Sequence, residues 1–244
     1  MKLFIGISLI ILILTACNKD NKTTGTDTKK DTSSQKQNAQ TDNTTSPQNA
    51  SDNKPSDDGI KNLTYEVTKA PTGVKYDGKI VAGAKWEDKN GENILIITET
   101  EEKKQTGDNR MKELFGYHFI INGSETKQLW KINDFIKDCP VDITLLYMPK
   151  SISITDLDKN GIAESTFLYK MSCKGDVSAD DMKLIMHEGK TKYAIRGLMK
   201  LVMNGENLEK GNMNVDDAFD KAPKEFLDYA KSQWDKYQTE KIGN

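Results

Sequence analysis

Long apolar runs are nearly absent from this chain. The longest, residues 3–14 (LFIGISLIILIL), stops after about a dozen, short of the roughly 17 to 25 residues that a membrane-spanning helix needs. Basic clusters interleaved with aromatics are missing too. The formal net charge is −2, and it becomes −3 once Lys2 leaves with a leader, so nucleic acid is excluded as a partner. Histidine occurs twice and cysteine three times, and neither His118 nor His187 sits in a motif that would make it a catalytic base. Residues 18–59 contain no aromatic, and Ala39 and Ala50 are their only hydrophobic residues. Such a stretch cannot bury enough surface to offset its ordering entropy, so it reads as a solvated tether. Lys29 and Lys30 do not make it an anion-binding arm, because Asp20, Asp27 and Asp31 dilute them.

What is present begins at the first residue. Lys2 is the positive n-region of a secretory signal, residues 3–14 are its apolar h-region, and Leu14-Thr15-Ala16-Cys17 closes it with small residues before a cysteine. That tetrapeptide resembles the lipobox of bacterial lipoproteins. The resemblance implies a signal peptide at 1–16, cleavage before Cys17, a diacylglycerol on its sulfur and an acyl chain such as palmitate on its new amino group. Several acyl chains hold a protein stably on a lipid bilayer. A tether of about 42 residues then averages on the order of 35 Å from anchor to domain.

Residues 60–244 suit a single domain with a sizeable core. Turn dipeptides organise it. Asn90-Gly91 separates KIVAGAKW (79–86) from NILIITET (93–100), and Asn122-Gly123 separates LFGYHFII (114–121) from TKQLWKI (126–132). Glu188-Gly189-Lys190 separates MKLIMH (182–187) from KYAIRGLMKLV (192–202). Each is a hairpin signal. Phe115, Tyr117, Phe119 and Ile121 alternate with Gly116, His118, Ile120 and Asn122, and both faces are apolar enough to need a cover. The expected fold is mainly β (α+β), an antiparallel meander forming a sandwich or an open barrel. Residues 222–241 carry Phe226, Ala230, Trp234 and Tyr237 at helical spacing behind Pro223, so a C-terminal helix packs on the sheet. A carbohydrate platform there would need Trp234 exposed.

Cys139 and Cys173 remain once Cys17 is acylated. An even pair in an exported domain favours a disulfide over a catalytic thiol served by His118 or His187.

The stretch ITDLDKNGIAESTFLY (154–169) is the one candidate ligand set. Counting from Asp156, side-chain oxygens fall at positions 1, 3, 5 and 9 (Asp156, Asp158, Asn160, Glu164), Gly161 supplies a sharp turn at position 6, and the Ile162 carbonyl stands at position 7. A hard cation such as Ca²⁺ takes six to eight oxygens in a loop of this kind, and the ion would be structural. Phe167 occupies position 12, where an EF-hand needs a bidentate glutamate, and STFLYKM alternates like a strand. The loop resembles instead the short calcium loops that join two strands in integrin-type repeats. The competing reading is a polar turn in which Asp156 and Asn160 cap backbone amides.

The runs KINDFIKDCPVDITLLY, ITDLDKNGIAESTFLYKMSCKGDVSADDMKLIMHEGKTKYAIRG and FDKAPKEFLDYAKSQW, over roughly residues 78–238, resemble a family of uncharacterised bacterial lipoproteins labelled surface polysaccharide biosynthesis proteins. The resemblance implies a Gram-negative envelope and an outer-membrane lipoprotein, on its periplasmic or its surface face. Asn18 fits, because lipoproteins kept at the inner membrane carry aspartate there. No catalytic residues come with the family. Two functions follow: a non-catalytic module that binds or scaffolds an envelope glycan or protein, or a hydrolase or transferase acting on glycans, which needs two carboxylates about 5 to 9.5 Å apart in a cleft.

Overall fold

A computed structural model describes residues 59–243. The leader, Cys17 and the tether up to residue 58 lie outside the described residues. Among the described residues, fifteen strands and one α-helix follow in chain order. They are β1 (Lys61–Thr64), β2 (Lys79–Asp88), β3 (Gly91–Glu99), β4 (Lys103–Lys104), β5 (Arg110–Asn122), β6 (Glu125–Cys139), β7 (Asp142–Tyr147) and β8 (Ser153–Thr155). Then come β9 (Glu164–Lys174), β10 (Asp181–Glu188), β11 (Thr191–Leu198), β12 (Lys200–Met203), β13 (Glu206–Glu209) and β14 (Asn214–Val215). A 3₁₀ turn (Asp217–Lys221), helix α1 (Lys224–Tyr237) and β15 (Thr239–Ile242) complete the chain.

The strands form two antiparallel six-stranded sheets and a small third one. The first runs β1-β2-β3-β5-β4 with β6 also on β5, and the second runs β14-β11-β10-β9-β7 with β8 also on β9. No ladder among the described residues joins them, so the arrangement is a mainly β open sandwich rather than a closed barrel. The three expected hairpins are there as β2–β3, β5–β6 and β10–β11.

Alternation puts Trp86, Leu95, Ile97, Leu114 and Trp130 of the first sheet against Leu145, Phe167, Tyr169, Ile185 and Ala194 of the second, and these make the central core. The opposite face of the second sheet shows Leu168, Met182, Leu184, Met186, Tyr193 and Ile195 to α1, which returns Phe226, Ala230 and Trp234. Trp234 is 1% exposed and belongs to the core, not to a carbohydrate platform. The outer face of the first sheet (Ile94, Ile96, Phe115, Tyr117, Phe119) is covered by Val67, Ala70 and Val74 of the segment between β1 and β2. A loop thus supplies the cover that this apolar face needs. Asp77 secures that loop, its amide donating to Tyr117 Oη at 2.9 Å and its carboxylate accepting from Lys131 at 3.0 Å.

Two boundaries differ from the sequence reading. Pro223 is the N-cap of α1, and the segment expected to remain helical to 241 leaves the helix after Tyr237 and pairs in parallel with β12. The run expected as one strand over 192–202 breaks at Met199, whose amide bonds to Asp180 O at 2.9 Å, and continues as β12 in the third sheet. Tertiary pairing outweighs local propensity at both places.

Candidate functional site

Cys139 ends β6 and Cys173 lies in β9, and they form a disulfide with Cα atoms 5.9 Å apart. The bond joins the two sheets directly. It leaves no thiol for catalysis at either position. The two histidines are unsuited to that role as well, since both are buried between the sheets. Burial pushes His118 down to about 4 and His187 down to about 3, so both imidazoles are neutral. His118 Nε2–H donates to Asn93 Oδ1 at 2.9 Å, because an amide oxygen only accepts.

The acidic loop leads from β8 into β9. Asp156, Asp158 and Glu164 converge, each offering a carboxylate oxygen within 4.8 Å of the other two. Local chemistry shapes the turn. The Gly161 amide donates to Asp156 Oδ2 at 3.0 Å, the Asn160 amide to Asp158 Oδ1 at 3.1 Å, and the Ile162 amide to Asn160 Oδ1 at 2.7 Å. Gly161 has φ +82°, which a side chain would strain, and a Cβ there would stand 2.5 Å from Lys89 Cε. The β2–β3 turn clamps the loop from the other sheet: the Lys89 amide donates to Gly161 O at 2.9 Å, Lys89 Nζ bonds Asn160 O, and Asp88 Oδ2 accepts from the Ala163 amide at 3.1 Å.

Glu164 is the buried member, with no exposed surface. Its Oε2 accepts from Thr155 Oγ1 at 2.9 Å and from the Leu157 amide at 3.0 Å. Oε1 has no hydrogen-bond partner among the described residues, and neither does the buried Asp156 Oδ1. Burial raises the Glu164 carboxyl to about 8; the two donated bonds pull it down, while Asp158 and Glu188 push it further up.

Glu188 is a member that sequence reasoning missed. It lies at the end of β10 directly across from Glu164, and its Oε1 accepts from Asn160 Nδ2 at 2.5 Å. The same Nδ2 donates to Asp158 Oδ2 at 3.0 Å, so Asn160 turns its NH₂, not its oxygen, toward the carboxylates. In sequence Glu188 reads only as a turn flank. The β9–β10 register brings it to the loop.

A second feature is an open cleft of about 650 Å³, lined by Tyr65, Val81, Gly83, Glu99, Tyr147 and Ile152 among others. Val81 is the extra residue where the β2–β3 register shifts between Ile80 and Ala82, and this bulge leaves it 43% exposed. Tyr65 stands opposite solvent at 50% exposure, beside the Glu66–Gly83 bridge. The facing wall is fixed. Tyr147 Oη accepts from the amides of Ser151 and Ile152, both at 3.1 Å, and the Tyr147 amide donates to Glu99 Oε1 at 2.8 Å. Glu99 Oε2 accepts from Lys112 Nζ at 2.9 Å, so the carboxylate on this wall has both oxygens engaged.

Compared with protein-family models, curated proteins and solved structures, the chain gives no match. No helix among the described residues is long and apolar enough to cross a membrane.

Proposed function

We propose that this protein is a bacterial envelope lipoprotein, held on the outer membrane by acyl chains on Cys17, whose β-sandwich is a non-catalytic binding module serving surface polysaccharide. The observation that carries the reading is the preformed cleft beside β2. Its volume of about 650 Å³ falls in the range of ligand sites, and its lining is largely apolar and aromatic. Val81 offers exposed apolar surface at this rim. Apolar side chains at such a rim favour an envelope protein as the occupant, with a glycan ring stacked on tyrosine as the second candidate.

The geometry gives less support to a glycan hydrolase or transferase. Such enzymes hold two carboxyl groups about 5 to 9.5 Å apart around an accessible bond. The Asp156, Asp158 and Glu164 oxygens are closer than that, within 4.8 Å, and Glu164 is sealed from solvent.

A photo-crosslinking residue at position 81, used in intact cells, and a glycan array probed with the purified full chain test the binding role. Capture of one discrete envelope partner, lost on Val81→Arg without a change in melting temperature, is the expected result. Empty outcomes in both assays overturn it. The anchor has its own test in intact-mass measurement, where a chain starting at a diacylglyceryl Cys17 is expected and a retained Met1 with unmodified Cys17 rejects it.

A further inference from the structure

The acidic loop has a use that ligand binding in the cleft does not require. Three carboxylates from one short segment meet within 4.8 Å, although like charges at that spacing repel. Two of their oxygens, Glu164 Oε1 and Asp156 Oδ1, are buried without any donor among the described residues. An unpaired buried carboxylate oxygen is costly, and native folds rarely leave two in one short loop. A polar turn does not explain them. In such a turn the capping oxygens are Asp156 Oδ2, Asp158 Oδ1 and Asn160 Oδ1, and these are already used. Glu164 Oε1 and Asp156 Oδ1 are left over, and both belong to side chains of the cluster.

We propose that Asp156, Asp158 and Glu164, with Glu188 from the neighbouring hairpin, form a divalent-cation site of Ca²⁺ type that fastens the 154–164 loop to the β10–β11 hairpin. The donor set is all oxygen, which selects hard cations over zinc or copper. Oxygens that share one Ca²⁺ at about 2.3 to 2.6 Å lie no more than about 5 Å apart, and the three carboxylates meet that limit as they stand. Mg²⁺ needs shorter bonds and a stricter octahedron and usually keeps several waters, so a site drawing on four protein carboxylates suits the larger ion better. Asn160 Nδ2 now bridges Asp158 and Glu188, where positive charge is most wanted. Asn160 Oδ1 is held by the Ile162 amide, so this amide group stays as it is and keeps Glu188 beside the cluster as the fourth carboxylate. Gly59 packs against this site, where a Cβ would come within 2.4 Å of Asp156 Oδ2, so the start of the folded domain closes over the loop.

The test is thermal unfolding of the full chain in detergent, in chelator and then in calcium chloride at about 1 to 10 mM, the range in which extracellular calcium modules saturate. Calcium is expected to raise the melting temperature of the wild type and to give a single-site binding isotherm by calorimetry. Glu164→Gln keeps the size and the Oε2-type acceptor, and is expected to fold in chelator with the calcium response lost. Glu188→Gln is expected to weaken calcium affinity by about ten-fold, while leaving the melting temperature in chelator unchanged, as removal of one outer carboxylate would do. Asp158→Asn serves as a second core variant if Glu164→Gln does not fold. A wild type with no calcium response in either measurement overturns the proposal, and so does a response that survives in both Glu164→Gln and Asp158→Asn. An affinity unaltered in Glu188→Gln removes the hairpin from the site and overturns the fastening role.

Discussion

The imidazole of His187 lies flat on the indole of Trp130, ring centroids 4.0 Å apart and 13° from parallel. Trp130 belongs to β6 and His187 to β10, so this stack joins the two sheets at the centre of the sandwich. His118 meets the other side of the same group, edge-on to Trp130 at 5.5 Å and tilted against Trp86 at 5.0 Å. The fold therefore contains two histidines that have to stay neutral, since Nδ1 of each is buried without a partner among the described residues.

That arrangement makes stability fall in acid. Burial lowers both folded-state values, to about 4 for His118 and about 3 for His187, with Asp88 opposing slightly at the first and Lys192 and His118 adding at the second. The unfolded chain takes up protons below about 6.5 while the folded one does not. Stability is thus fully present above about pH 6.5 and is lost as pH falls, by about 1.4 kcal/mol per unit for each histidine. Glu164 works in the other direction. Its raised value of about 8 means that the folded state keeps a proton the unfolded state releases above about 4.5, so without a bound cation stability also declines from about 4.5 to 8. The sum is a maximum near pH 6.5. Urea unfolding in chelator at about pH 5, 6.5 and 8 is expected to trace this dome, and Glu164→Gln is expected to flatten its alkaline side. A stability that rises steadily from pH 5 to 8 in the wild type would contradict it.

Cys139→Ser/Cys173→Ser removes the cross-link between β6 and β9. The bridge closes 34 residues of separation, and the chain-entropy model gives up to about 3.8 kcal/mol for such a loop. Chemical denaturation of the oxidised wild type and the double variant measures the difference. A loss below about 1 kcal/mol would mean that packing alone holds the sheets in register.

Phe226→Ala tests the helix cover. The ring is fully buried and meets Tyr193 edge-on at 5.5 Å, so truncation is expected to cost about 3 to 5 kcal/mol. Tyr237→Phe, at the half-buried end of the same face, loses one bond, from Tyr237 Oη to Lys150 O at 2.6 Å, and is expected to cost about 1 kcal/mol. Equal costs would mean that α1 is not anchored at its first turns.

Asp134 on β6 reaches across to the second sheet, where it accepts from Tyr169 Oη at 2.8 Å and from Lys183 Nζ. Asp134→Ala is expected to destabilise by about 1 to 3 kcal/mol, because the buried Tyr169 hydroxyl loses its acceptor. The double variant with Tyr169→Phe is expected to recover part of that loss. Additive costs in the cycle would show that the two groups do not interact.

Much of this protein was legible in its residues because the relevant signals are local. Strand alternation, turn dipeptides, the stripe of Phe226, Ala230 and Trp234, the cysteine count and the 1, 3, 5, 9 spacing of oxygens each depend on a few neighbouring side chains. Period and turn chemistry act at that range, so the mainly β fold, its three hairpins, its covering helix and the Cys139–Cys173 pair could be read directly. The rest is set by contacts between segments far apart in the chain. Glu188 joins the acidic loop only because β10 pairs with β9 in a register that opposes it to Glu164. Lys89 clamps that loop from 71 residues away, and a bulge in β2 exposes Val81 beside a wall that begins at Tyr147. The C-terminal residues 239–242 leave the helical pattern because β12 offers them a ladder. Register, bulges and burial belong to the assembled sheets, and no stretch of sequence encodes them alone.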